Sequence, residues 1–365
     1  MLLNLPILKA ANCYVPLVSE KEKEMIIFSN NKKYSEFSFK LEKDFENEIS
    51  NNSKLFFGPK TIYIDFKRKI DSQTFGGAIP DGFLFDFSDP STPEFYLIEV
   101  ELTSHDFFKH IFPQITKFFA FFNNEKSRRD LISKLYSIIS QNNEIEQEFR
   151  KYLNNKEIFK FLNDIIEDSQ NILLILDGEK IELPEIIETY TDTWGKIVKI
   201  QIIKKFINSD SSLYIVSPEF ENIDFIDTFA ESTESENVQS NKITEEYHLE
   251  TIEPEILKIY NEIKNRIQGH NNKIYLNPQK YYISIRLNHN LAFFKIRKKK
   301  LRLIVMLPEN TIKGKINSYN IKSLTESVQK FYNGPCAAID IDKINNIDEI
   351  IDLLKIVIDN DTNIA

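Results

Sequence analysis

Cysteine is nearly absent from this 365-residue chain, Cys13 and Cys336 being the only two. Two thiols so far apart build neither a disulfide framework nor a cysteine zinc cluster, and they suit a reducing, cytoplasmic setting. Glycine is scarce as well, at nine residues. That argues against phosphate-cradling loops, and no Walker loop, dinucleotide fingerprint, G-x-S-x-G elbow or H-E-x-x-H helix is present. No uncharged apolar run reaches the ~18 residues that a membrane span needs, so no membrane association is expected. The N-terminal MLLNLPILKAANCY lacks a basic leader region, and a signal peptide is not expected.

Positive charge is in overall deficit, with a net charge of −9, but the deficit is local. Residues 218–253 carry eleven acids and one lysine, while 254–365 sum to +7. A 42% hydrophobic content over this length supplies more core than one domain needs. The sequence therefore predicts an α/β domain over 1–217 with its core about 37–217, an acidic flexible linker over 218–248, and a small basic α+β domain over 249–365.

In the first domain, Leu41, Phe45 and Ile49 recur at i, i+4, i+8 and predict one helix ending before Gly58. TIYIDFKRKI, AIPDGFLFDF and EFYLIEVEL read as three strands, the last two separated by the Pro-Ser-Thr-Pro loop at 90–93. A helical stretch from His110 to about 168 follows, then the strands NILLILD, KIVKIQIIKKFI and SLYIVS. In the second domain a helix starts near Pro254 and stops at Gly269. A three-stranded meander turns at Lys298, Lys299 and Lys300, and helices follow around 320–332 and 345–358.

The carboxylates carry the chemistry. Asp81 opens one strand, and Glu99 and Glu101, two residues apart on the next, leave their strand on the same face. If the strands are neighbours, the three acids meet at one end of a sheet. FYLIEVEL is otherwise apolar, and a strand buried on both faces tolerates two ionised carboxylates poorly unless a cation compensates them. Phosphodiester hydrolysis requires such a site: oxygen ligands for a hard divalent cation, and charge cancellation at the phosphate. The competing reading, a solvated edge strand, does not account for the Pro-Asp-Gly strand eighteen residues earlier.

A helix bearing an acid, a strand, a strand bearing Pro80-Asp81 and a strand bearing Glu99-x-Glu101 resemble, in that order, the PD-(D/E)xK nuclease superfamily, over about Phe39 to Phe118. The resemblance implies a restriction-endonuclease-like mixed sheet flanked by helices, and a Mg²⁺- or Mn²⁺-dependent endonuclease acting on nucleic acid, DNA before RNA, with a role in defence against foreign DNA. It implies Asp81 and Glu99 as metal ligands. Glu101 stands where the family usually has lysine, as in E-x-E variants, and would be a further ligand or the base. Glu42 would be an outer ligand, with Glu46 its rival one turn later. Gln114 and Phe118 form Gln-x-x-x-Phe, similar to the Gln-x-x-x-Tyr of RecB-type members. A homodimer is compatible with double-strand cleavage by this fold.

Asp106, His110, Gln114 and Lys117 share one face of a continuous helix, although Pro113 either kinks that helix or starts a new one. His105 and His110 then line the cleft and contact nucleic acid, while Gln114 and Lys117 position phosphate. Lys117 is placed to replace the missing lysine. A zinc site of Glu101, His105 and His110 is not expected, because an i, i+5 spacing does not put both imidazoles on one helical face. Lys298, Lys299 and Lys300, beside Tyr281, Tyr282 and Phe294, form a basic hairpin able to track a phosphate backbone. The segment from Tyr275 to Ile358 also resembles an uncharacterised module found behind nucleases of this type, so a partner protein could bind there. Other functions compatible with the same residues are an inactive nucleic-acid-binding or scaffold protein of the same fold, and an RNA-directed nuclease.

Overall fold

A computed structural model describes residues 25–65, 79–89, 93–190, 194, 197–223, 244–250, 252–279, 282–297 and 299–364. The chain divides into two compact units, 1–230 and 231–365. No helix among the described residues is long and apolar enough to cross a membrane.

The first unit is mixed α/β. Its elements are β1 (Ile26–Ser29), β2 (Lys32–Phe37), α1 (Glu42–Asn51), α2 (Ser53–Phe57), β3 (Thr61–Asp65), β4 (Gly82–Asp86) and β5 (Glu94–Glu101). A π-helical turn, Phe107–Ile111, runs into α3 (Phe112–Phe122), followed by α4 (Glu125–Gln141), α5 (Asn143–Arg150), α6 (Ile158–Asp168) and β6 (Asn171–Leu176). α7 (Leu183–Thr189), β7 (Val198–Ile207) and β8 (Ser212–Ser217) complete it. The sheet runs β1-β2-β7-β6-β5-β4-β3, with β8 also on β7. β5, β6 and β7 are mutually parallel, and β3, β4 and β5 are antiparallel. β5 is thus a central strand between β4 and β6, which rules out a solvated edge for Glu99 and Glu101.

Alternation along β5 sorts its side chains. Tyr96, Ile98, Val100 and Leu102 join a core with Phe45 and Ile49 of α1. On β4, β5, α5 and α6, Phe85 meets Phe95 at 5.2 Å, Phe149 at 5.0 Å and Phe161 at 6.4 Å. Helices therefore flank the sheet. α1 carries Glu42 and Asp44 in its first turn, where the helix dipole favours acids. Glu48 in its last turns is held by the Tyr214 hydroxyl and by Lys205 at 2.9 Å. These contacts fix the helix, and hence Glu42, against β7 and β8.

Several expectations are corrected. Leu41 is not on the buried helix face: it is the extended N-cap of α1 and is 61% exposed. The helix also breaks at Asn52, and Gly58 closes α2 at φ +96°, a backbone region that strains other residues. The core begins before residue 37, because β2 pairs with β7 and Tyr34 is buried against Phe206 and Leu213. The linker is shorter than 218–248: Phe220–Asn222 forms a 3₁₀ turn, and Phe220 and Ile223 are buried in the α1 core. Residues 224–243 of the expected linker lie outside the described residues, as do 1–24 with Cys13, 66–70 of the first strand, and 90–92 of the Pro-Ser-Thr-Pro loop.

The second unit holds α8 (Glu245–Leu249), α9 (Pro254–His270), β9 (Tyr275–Pro278), β10 (Ile283–Arg286), β11 (Asn290–Arg297), β12 (Lys300–Val305), α10 (Glu309–Lys313), β13 (Asn320–Ser323), α11 (Glu326–Phe331), β14 (Ala337–Ile341) and α12 (Ile347–Ile364). Its antiparallel sheet runs β13-β14-β12-β11-β10-β9. The expected three-stranded meander is therefore part of a six-stranded sheet. Residues 320–323 are strand rather than helix, because Ile321 pairs with Ile339. Gly269 does not stop α9, which continues to His270. Lys264 of α9 pairs with Glu245 of α8, so this unit starts before residue 249. Cys336 is buried, and burial pushes its thiol up to about 11.

Candidate metal centre

The site is built where β4 starts and β5 ends. The Asp81 amide donates to Ile98 O at 3.0 Å, and the Val100 amide donates to Asp81 Oδ2 at 2.7 Å. A backbone N–H thus clamps Asp81 beside Glu99 and Glu101. The glycine of Pro-Asp-Gly is required by close approach: a Cβ on Gly82 would fall 2.5 Å from Tyr63 Oη. Tyr63 is a member of the site that sequence reasoning missed. Burial first, then the charges of Asp81, Asp65, Glu46 and Glu99, push its phenol well above its usual range, so it remains a proton donor among acids.

Glu99 and Glu101 are 3% and 0% exposed. Gln114, one turn into α3, serves both. With its amide nitrogen turned toward the carboxylates, the orientation that satisfies every partner, it donates to Glu101 Oε1 at 2.8 Å and to Glu99 Oε1. The Gln114 amide thus links the two acids. Lys117, three residues on along α3, is exposed.

Beyond Glu101 the chain turns sharply. Thr103 N and Oγ1 both donate to Asp177 Oδ1 at 2.8 Å, and Lys180 Nζ donates to Thr103 O at 2.8 Å and His105 O at 2.6 Å. This holds His105 with Nδ1 2.8 Å from Glu101 Oε2 and 3.3 Å from Glu42 Oε2. The π-helical turn then carries His110 back to the same place. Its Nε2 lies 3.2 Å from Glu101 Oε1 and 3.6 Å from Glu42 Oε2. Phe107 anchors this turn against buried Trp194 at 5.6 Å, and Phe112 stacks on the same indole at 5.4 Å.

Two expectations fail here. Asp81, Glu99 and Glu101 do not converge as three ligands. The described groups whose ligand atoms lie within 4.8 Å of one another are Glu42, Glu101, His105 and His110, and separately Glu42, Glu46 and Asp81. Gln114 bridges Glu99 and Glu101 through its amide nitrogen. The histidines do converge, because 107–111 winds as a π-helix and His105 precedes it in a turn, so regular α-helical spacing does not apply. Glu42 and Glu46 were alternatives in the sequence, and both belong to the site, with Glu42 common to the two groups. These groups could hold a metal ion.

The basic hairpin is also redrawn. Lys300 is 4% exposed and pairs with Asp340 at 3.1 Å, so it is a buried structural cation and not a surface contact. Lys299 is exposed and lies 3.9 Å from Glu253. Lys298 and Tyr281 fall outside the described residues. No protein-family model matches the chain, and neither a curated protein nor a solved structure matches it at a significant level.

Proposed function

We propose that the first unit is a metal-dependent endonuclease of the PD-(D/E)xK type, restriction-endonuclease-like in fold, that hydrolyses phosphodiester bonds in cytoplasmic DNA, with defence against foreign DNA as its setting. One observation carries the reading: acids from three separated segments meet, with the Glu42 carboxylate within 4.8 Å of those of both Asp81 and Glu101. The order α1, β3, β4, β5, α3 also supports it, since the resemblance implies a helix bearing an acid, a strand, the Pro-Asp strand, the Glu-x-Glu strand and then the Gln-x-x-x-Phe segment.

The donor set fits a hard cation. Glu42, Glu46 and Asp81 offer only oxygen, which suits Mg²⁺ or Mn²⁺, and Glu99 adjoins them. The bound cation would supply charge neutralisation at the phosphate and a lowered pKa for the attacking water. The chain's own groups do the rest. The Val100 amide fixes Asp81, the Gln114 amide bridges Glu99 and Glu101, and the protonated Tyr63 hydroxyl gives a donor beside the acids.

A second reading, an inactive nucleic-acid-binding or scaffold protein of the same fold, draws on Glu101 standing in the lysine position while engaged by His105, His110 and Gln114. Supercoiled plasmid, linear DNA, single strands and RNA incubated with Mg²⁺ or Mn²⁺ separate the two. The nuclease reading expects metal-dependent cutting that falls by more than about 100-fold in Asp81→Ala, beyond what loss of an outer-shell partner costs. Binding without cutting under either metal sinks it, and cutting of RNA alone reassigns the substrate.

A further inference from the structure

Apart from the all-oxygen group, we infer that Glu42, Glu101, His105 and His110 form a site for a divalent first-row transition-metal ion, of the Zn²⁺ or Co²⁺ class, and not for Mg²⁺. The donors come from four places: the first turn of α1, the end of β5, the turn after it, and the π-helical turn. Each imidazole nitrogen faces both carboxylates. His105 Nδ1 has them at 2.8 and 3.3 Å, and His110 Nε2 at 3.2 and 3.6 Å. A ring nitrogen carries at most one hydrogen, so it cannot donate well to two acceptors at once. One ion at the centre serves both imidazoles and both carboxylates, since one ligand atom from each residue can be chosen so that all lie within 4.8 Å of one another. Bonds of ~2.0–2.2 Å to a tetrahedral ion place neighbouring ligand atoms about 3.3 Å apart, inside the 2.8–3.6 Å spread of these nitrogen-to-oxygen distances.

The type of donor selects the ion. Imidazole suits Zn²⁺, Co²⁺ and their neighbours, whereas Mg²⁺ takes oxygen and keeps its waters. Burial agrees with this. The Glu101 side chain is fully enclosed, while His105 and His110 are 31% and 43% exposed, giving an entry path from the histidine side. The ligands are themselves held: Gln114 donates to Glu101 Oε1, and Lys180 ties down the backbone of His105. Such outer partners fix ligand orientation in metal sites. The site shares Glu42 with the proposed nuclease centre but does not depend on nuclease activity.

The test uses the full chain stripped of metal by chelation and titrated with Co²⁺. Wild type should bind one equivalent tightly, with visible d–d absorption that Zn²⁺ abolishes and millimolar Mg²⁺ leaves in place. His105→Ala and His110→Ala should each weaken Co²⁺ binding by more than about 10-fold. Arg129→Ala, exposed on α4 and paired there with Glu125, should not change it. Circular dichroism checks the fold of each variant, and the wild-type spectrum alone can overturn the idea if it never appears. Displacement of Co²⁺ by Mg²⁺, or full affinity in both histidine variants, also overturns it. The nuclease reading fails separately: Co²⁺ absorption with no cutting of any nucleic acid would reject that reading and keep this site.

Discussion

Arg302 and Asp340 face each other across β12 and β14, joined by a two-pronged bridge of 2.6 and 3.0 Å, with Lys300 at 3.1 Å from the same carboxylate. All three are under 8% exposed. In the first unit Glu99 and Glu101 are buried as deeply, but the partners described for them are a neutral amide and, for Glu101, two imidazoles. One cluster sets its carboxylate between two cations from its own sheet. The other encloses acids with an amide and imidazoles, groups that could hold a metal ion. Buried charge paired with opposite charge serves the fold, whereas buried acids grouped with imidazoles are the pattern expected of a metal site.

The largest effect should come from breaking the closed cluster. Asp340→Ala removes the carboxylate that both Arg302 and Lys300 pair with and should cost about 3–5 kcal/mol, the usual penalty for removing one partner of a buried ion pair. Hydrogen exchange at the β12 and β14 amides would show it as lost protection in the second unit. A loss below about 1 kcal/mol would mean that water already reaches the two cations, and the contrast would weaken.

The open cluster should respond in the opposite sense. In metal-free protein, Glu99→Gln removes one buried charge and keeps the side-chain volume, so it should leave stability unchanged or raise it by about 0.5–2 kcal/mol; the proposed nuclease reading adds that metal-dependent cutting would be lost. Trp194, the only tryptophan, is buried in the first unit, so urea unfolding followed by its fluorescence reads that unit alone. A clear destabilisation would show that Glu99 is a structural anchor.

The two clusters also differ in how far they could be read from sequence. The placement of Asp81, Glu99 and Glu101 on neighbouring strands was legible because strand alternation is local and β4 and β5 are adjacent in the chain. His105 and His110 were placed near nucleic acid but not with each other, since their meeting depends on a π-helical turn that no α-helical spacing rule contains. Tyr63 carried no signal beyond its place in TIYID, because its role comes from lying over Gly82 on the neighbouring strand. Lys300 was misread for a related reason. In KIRKKKLR alternate residues face opposite sides of the sheet, so Lys300 and Arg302 turn together toward Asp340, a partner 38 residues beyond Arg302. Leu41 fitted the helical period but fell one residue before the helix began.

The smallest effect concerns a third kind of buried carboxylate, one balanced mainly by hydrogen bonds. Asp361 in α12 accepts from the Asn288 amide at 2.9 Å and pairs with His289 Nδ1 at 2.7 Å. Burial raises its pKa, but the hydrogen bonds from His289 and from the Asn288 and His289 amides outweigh that and leave it below the usual carboxylate range. A lowered folded-state value means that the stabilisation is complete above the unfolded value of about 3.9 and is lost as pH falls through the folded one. Wild type should therefore exceed Asp361→Asn in stability near neutral pH, and the gap should close on acidification. Hydrogen exchange at the second-unit amides, followed from neutral pH into acid, measures it. A gap that stays constant with pH would mean that the Asp361 charge is not what ties α12 to the turn at Asn288, and that this carboxylate, unlike Asp340, contributes only its shape.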